Sequence, residues 1–366
     1  MATHLQGTQP VIPPTAHPLA GSLRKVEPKR LSLSLLIALV VGSMIGSGIF
    51  SLPQNMAASA GAGAILIGWL ITGVGMLSLA LVYQTLSNRQ PALDNGVFAY
   101  ARALGGEFLG FNSAWGYWIS AWIGNVSYLV ILFAALSYFF PLFGEGNNKA
   151  AIAGASVVLW SLHWMILRGM RTAARANALT TVAKIVPLLL FIGLVIAAFQ
   201  RETFTVDFWG SPALGSTLDQ VKSTMLVTVW VFIGIEGANV FSARAAERAN
   251  VGRATVIGFV ITLLLLIAVS LLSLGILRQP ELAALKNPSM AGVLQAAAGP
   301  WGAVLISIGL IISVAPCSPG RCWRRNRCSH RPRKRSCRDR LPWKTPKVYR
   351  PMPCGSPTAA FNCSCY

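Results

Sequence analysis

The residues with chemistry to offer stand inside long apolar stretches. Glu236 closes the run Val229-Trp230-Val231-Phe232-Ile233-Gly234-Ile235-Glu236-Gly237. An ionisable group at the centre of a membrane costs at least ~2.5–3.5 kcal/mol, so it should face a cavity or a partner. A cation nearby would stabilise its charged form, and Trp230 offers an aromatic face for a cation or an alkyl chain. The structural alternative is an interfacial Trp and a Glu paired with a base such as Arg244. A second run, Gly42-Ser43-Met44-Ile45-Gly46-Ser47-Gly48-Ile49-Phe50, carries three glycines in seven residues. Each weakens a helix by about 1 kcal/mol relative to alanine. A helix broken at mid-membrane exposes amides and carbonyls that are tolerated only where they line a cavity or meet a ligand. The freed N–H groups and the helix-end dipole suit a carboxylate, such as that of an amino acid. Close helix packing through Gly-x-x-x-Gly-like spacing is the competing explanation.

Two further sets of polar residues lie in apolar surroundings. Tyr117, Ala121, Asn125 and Tyr128 share one helical face by i, i+4 and i+3 spacing, and a polar stripe of this kind must meet other helices or water. A buried amide such as Asn125 also serves simply to tie helices together. Lys184, in Thr180-Thr181-Val182-Ala183-Lys184-Ile185-Val186-Pro187, lies about one and a half turns inside its span. Its stem is long enough to snorkel to the surface, or its amine serves as a proton- or cation-site beside the first glycine-rich run. No phosphate-binding Gly-x-x-x-x-Gly-Lys-Ser/Thr loop occurs, and the four histidines (His4, His17, His163, His330) show no metal-ligand spacing. Neither an enzyme, a cofactor nor a metal is expected.

The elements that must hold these residues are membrane spans. The chain is 54% hydrophobic and 11% charged, against roughly 25% charged in soluble domains. Apolar segments are expected at about 32–57, 61–87, 108–141, 150–168, 178–199, 219–242, 254–277 and 301–315. The first seven reach the roughly 20 residues that cross a bilayer. The eighth meets Pro316, Pro319 and a basic run. Residues 1–23 are polar and lack the apolar stretch of a cleaved signal, so the first span is expected to direct insertion itself. Twelve Lys/Arg fall in connections on one side (Arg24 to Arg253) and five on the other (Lys149, Arg201, Lys222, Arg278, Lys286), which predicts a cytoplasmic N-terminus. Two Gly-interrupted spans, five segments apart, are the expected sign of an inverted repeat with a central site.

These residues resemble the amino acid–polyamine–organocation superfamily, and within it the bacterial arginine/ornithine antiporters. The likeness rests on residues 37–53, on Trp115-Gly116-Tyr117-Trp118-Ile119-Ser120-Ala121-Trp122-Ile123-Gly124-Asn125 and on residues 229–237. It spans about residues 27–314. It implies an all-α membrane protein, an inverted-repeat helix bundle represented through seven to eight of twelve helices, with the first repeat at about 32–199 and the second beginning at about 219. It further implies that Met44, Gly46, Ser47 and Gly48 bind substrate at the first break, Ser47 and Gly48 at the carboxylate and amine. Ile233 and its neighbours would contribute backbone carbonyls, Ala121 and Asn125 would contact the substrate side chain, and Trp230 would cover it. Tyr117 and Glu236 would act as gates. The implied activity is exchange of arginine for ornithine across a bacterial inner membrane, with lysine a near alternative. A proton-coupled lysine or arginine importer is the second expectation. The implied partners are these solutes and the lipid bilayer, and a homodimer is compatible with them.

The segment after Ala315 reads differently. From Pro316 to Tyr366 there are 13 Lys/Arg against one acid, Asp339, and all seven cysteines lie there. A frameshift near Ala315 would explain it: with ordinary codons, one offset turns two separate stretches into sequence suited to the next spans, and the tryptophan that the resemblance implies on helix eight, stacked on the guanidinium, reappears. The competing reading is a basic domain for nucleic acid or anionic lipid. The spacing of Cys317, Cys322, Cys328 and Cys337 lacks the close pairs of zinc knuckles. The frameshift reading leaves no nucleic-acid partner and implies impaired transport, or a non-transporting remnant.

Overall fold

The computed structural model describes residues 31–90, 93, 97–168, 171–240, 245, 247 and 249–314; for 162, 165–168, 171–183, 238, 240 and 314 only the backbone is described. The tail from Pro316, the N-terminal segment to Arg30, and Arg244 lie outside these residues. The regular structure is helical, with one isolated bridge between Leu31 and Ala245. The first apolar segment folds as two helices, α1 (Leu33–Met44) and α2 (Gly48–Ser59), bent by 50° at a short break. The following helices are α3 (Ala62–Arg89), α4 (Val97–Leu136), α5 (Lys149–Arg168) and α6 (Arg171–Ala197). After a short α7 (Arg201–Val206) the sixth segment also divides, into α8 (Thr217–Trp230) and α9 (Gly237–Val240). Then come α10 (Ala249–Ser273), α11 (Gln279–Ala283), α12 (Ser289–Ala298) and α13 (Pro300–Val314).

Each of the eight expected apolar segments carries a helix or a broken pair. Helix α4 starts 11 residues before the apolar run does, because Val97–Leu104 is also helical. The two parts of α4 meet at a kink where Gly106 takes φ +75°, a conformation that costs other residues but not glycine. Apolar periodicity did not place α11 and α12, which are 5 and 10 residues long. Among the described residues, α3, α4 and α10 are long and apolar enough to cross a membrane, and α1 with α2 forms one broken span. Helix α3 exposes Leu70 and Val74, and α10 exposes Leu264, large side chains that a lipid solvent accepts.

Packing follows the small residues. Helix α10 lies against both α3 and α1. Gly258 of α10 faces Val40 of α1 so closely that a Cβ there would sit 2.7 Å from Val40 Cγ1. The interior polar groups are tied between helices: Trp69 Nε1–H donates to Ser270 Oγ at 2.9 Å, and the hydroxyls of Thr72 and Thr228 lie 2.7 Å apart. Buried Thr255, Thr262, Ser270 and Ser273 donate to carbonyls one turn back in α10. Those bonds satisfy hydroxyls that would otherwise be orphaned in an apolar medium.

This packing predicts an asymmetry between glycines. Gly258→Leu should destabilise the purified protein by about 1–3 kcal/mol through overpacking against Val40. Gly75→Leu, on α3 with open space around it, should leave the thermal midpoint in detergent nearly unchanged. Equal shifts for the two variants would refute the α1–α10 contact.

Candidate functional site

The two broken spans meet at their breaks. At the first, α1 ends with Ile45 N–H donating to Val41 O, and Gly46 N–H donates to Met44 O. Ser47 precedes α2, but its side chain makes no capping bond to that helix. Phe50 N–H turns back to Ser47 O at 3.1 Å, while the N–H groups of α2 ahead of it have no acceptor within the helix and carry its positive dipole end. At the second, α8 gives way to successive tight turns, with Ile233 N–H bonded to Trp230 O and Ile235 N–H to Phe232 O. Gly234 adopts φ +109°.

Ser43 joins the two. Its hydroxyl donates to Gly234 O at 2.7 Å and lies 2.9 Å from Val40 O. A Cβ on Gly234 would stand 2.7 Å from Ser43 O, so the backbones touch here with no side chain between them. Glu236 closes the second break from its own side, its Oε2 accepting Gly234 N–H at 3.1 Å. Its Oε1 is buried and has no hydrogen-bond partner among the described residues. Asn239, one turn on, is buried with both side-chain polar atoms in the same condition.

A cavity of about 230 Å³ opens beside the breaks, within reach of a single amino-acid-sized solute. Met44, Gly46, Ser47 and Gly48 of the first break line it, with Trp230 and Ile233 of the second and Ala121 of α4. Among the described residues, no charged side chain lines it. Its polar character therefore comes from hydroxyls and from backbone at helix ends. Two lining positions are glycines for a visible reason. A Cβ on Gly46 would overlap the Tyr128 hydroxyl, and one on Gly48 would lie 2.8 Å from the Trp230 ring.

Four expected site residues fall elsewhere. Asn125 is buried but does not line the cavity, and Tyr117 lies one turn before the lining part of α4 and is 38% exposed. Each residue turns about 100° around a helix. The lining face runs through Ser120, Ala121, Gly124 and Tyr128, which leaves Asn125 at its margin. Glu236 folds back on the second break instead of entering the cavity. Lys184, 9% exposed, stands behind the wall with its Nζ 6.0 Å from the centre of the Tyr128 ring. Sequence reading put Tyr128 on the polar stripe of α4 without giving it a role at the site. It noticed Ser43 only as one letter of the glycine-rich run. The signal for Ser43 was available, since a small hydroxyl beside a predicted break is a natural donor to an exposed carbonyl.

The joined breaks predict that Ser43→Ala, which leaves Gly234 O without its inter-span donor, should cost about 1 kcal/mol of stability. Gly234→Ala should cost more, because it adds a positive-φ penalty to a clash with the Ser43 backbone. Thermal unfolding of both variants checks this. If Gly234→Ala is as stable as the parent, the breaks are not in contact.

Comparison with known proteins agrees with this architecture. A family model described as amino acid permease matches residues 31–316. The arginine/ornithine antiporter of Pseudomonas aeruginosa is 63% identical over 288 residues, which cover 78% of this chain and 60% of that protein. The L-lysine transport protein of Corynebacterium glutamicum is 52% identical over 298 residues, covering 81% and 60%. The arginine/agmatine antiporter of Chlamydia caviae is 48% identical over 293 residues, covering 78% and 60%. The chain thus spans about 60% of the length of these curated relatives. With two broken spans in contact, apolar helices of crossing length and a family match running from residue 31 to 316, this multi-pass membrane protein belongs to the amino acid permease family.

Proposed function

We propose that the cavity between the breaks binds a basic amino acid, and that the function built on it is exchange of arginine for ornithine across a bacterial inner membrane. The observation that carries this reading is a zwitterion-sized cavity with a helix N-terminus at one break, a helix C-terminus at the other and, among the described residues, no charged side chain in its wall. The N–H groups at the start of α2 suit the α-carboxylate, and the carbonyl end of α8 suits the α-ammonium. Trp230 gives the cationic side chain an aromatic face. Met44, Ile49 and Ile233 leave its aliphatic stem in apolar surroundings. Exchange follows if the bundle returns across the membrane only when loaded, so that the gradients of two like-charged solutes drive it without another energy source. The names of the relatives at 63% and 48% identity, both antiporters of arginine, support this. The excess of Lys/Arg in one set of connections supports a cytoplasmic N-terminus.

A proton-coupled importer of lysine or arginine is the second reading. The buried amine of Lys184, and the relative named an L-lysine transport protein, favour it.

Purified chain in lipid nanodiscs should bind radiolabelled L-arginine and release it to excess L-ornithine. Gly48→Ala, which drives a methyl into the Trp230 ring, should weaken that binding at least tenfold. A chain that binds neither solute sinks the proposal. In proteoliposomes loaded with ornithine, arginine uptake indifferent to an imposed proton gradient supports exchange, and uptake that requires the gradient supports the importer.

A further inference from the structure

We propose that Tyr128, with Lys184 set behind its ring, makes the cavity demand a carboxylate, and so separates α-amino acids from their decarboxylated amines; this rests on the reading of the cavity as a basic amino acid site. Three observations meet at this residue. Tyr128 lines the cavity from α4. Its hydroxyl occupies the space that a side chain at Gly46 would take, which puts the phenol oxygen inside the first break, two residues from the start of α2. The Lys184 Nζ lies 6.0 Å from the centre of the same ring, on a side chain only 9% exposed.

A phenol alone has no preference of sign, because its oxygen can donate to a carboxylate or accept from an ammonium. Lys184 removes the ambiguity. A cation held near the ring draws electron density from it, which strengthens the hydroxyl as a donor and weakens it as an acceptor. The same cation lies in surroundings of low dielectric, where its field is little screened. Among the described residues no charged side chain in the cavity wall opposes it, and that field favours an anion at the first break and opposes a second ammonium there. The start of α2 acts in the same direction. An amino acid places its carboxylate at this end and its cationic side chain toward Trp230. A decarboxylated diamine has nothing to place there. Arginine and agmatine, the two solutes named for one of the relatives, differ in this one group.

The test is equilibrium binding to the purified chain in nanodiscs, with L-arginine, L-arginine methyl ester and agmatine as ligands. The unaltered chain should prefer arginine to both others by at least tenfold. Tyr128→Phe should reduce the ratio of arginine to agmatine affinity about tenfold, the worth of one hydrogen bond to a charged group. Lys184→Met should reduce the same ratio, and Lys184→Arg, which restores the charge, should recover most of it. Thermal midpoints verify that each variant is folded, and the three-ligand series on the unaltered chain needs no variant. If the unaltered chain binds arginine but binds the ester and agmatine as well, the inference fails while the functional reading stands. The inference fails alone, too, if Tyr128→Phe and Lys184→Met weaken all three ligands equally. A chain that binds none of the three overturns the functional reading and the inference with it.

Discussion

Inside a bilayer no water is present to satisfy an interrupted helix, and the bond from the Ser43 hydroxyl to the Gly234 carbonyl answers that constraint. One break alone would leave several amides and carbonyls facing hydrocarbon, each costing several kcal/mol. Two breaks brought together satisfy part of each other's deficit. They leave the remainder pointed into a common space, which becomes the cavity. The glycines at 234 and 237 follow from this. Side chains at either position would meet Ser43, and the breaks would be held apart. Glu236 then has a local task in the structure, since its carboxylate takes the one N–H of Gly234 that no neighbouring helix reaches. The polar inventory of the site is therefore mostly backbone, exposed by sequence choices that weaken helices at two points.

That economy bears on what the site can recognise. A pocket walled by charged side chains selects by point charge, whereas one walled by helix ends and hydroxyls selects by the spacing of a carboxylate from an ammonium. The α-carbon end of every amino acid presents the same pair, so on the proposed function the breaks would supply what is common to amino acids. Discrimination among them would then fall to the rest of the wall, Ala121 and its neighbours on α4 and the rings of Trp230 and Tyr128. The wall on the side of α4 is thin, and Ile123 and Ile233 are each about half exposed. The relatives extend well beyond the span matched here, and in them further residues have the opportunity to contact this side.

The sequence made the spans and both breaks readable for a physical reason. Apolar length is a one-dimensional property, and glycine clusters within it weaken helices whatever surrounds them. Seven residues that the family resemblance implied at the site line the cavity, and they sit at or beside the breaks or on the helix that faces them. Asn125, Tyr117, Glu236 and Lys184 do not line the cavity, because their side-chain directions depend on the rotation of α4, on the turn geometry after Trp230 and on the packing of α6. Spacing by i and i+4 says that Tyr117, Ala121 and Asn125 are neighbours on α4. It does not say which edge of their stripe faces another helix. The link between residues 43 and 234 is a contact 191 positions apart, for which composition and period carry no signal.

The first span also divides its attachments in a way its sequence does not announce. Its lower half, α1, packs on α10 and α9 and is tied to the second break through Ser43. Its upper half, α2, also touches α10 and α8, and is hydrogen-bonded to the connection that contains α11 and α12. Gln54 N–H donates to Ser289 Oγ at 3.2 Å and Gln54 Nε2 to Ala283 O at 3.3 Å, while Ser289 Oγ donates to Phe50 O and Gln279 Nε2 to Ala57 O. Sliding α2 against α11 and α12 would break four hydrogen bonds in buried or half-buried surroundings. Bending the span between Met44 and Gly48 would break far fewer, because the helical ladder is already interrupted there. The backbone ladder of the first span is therefore weakest at the residues that line the cavity, between an α1 tied to the second break and an α2 tied to α11 and α12.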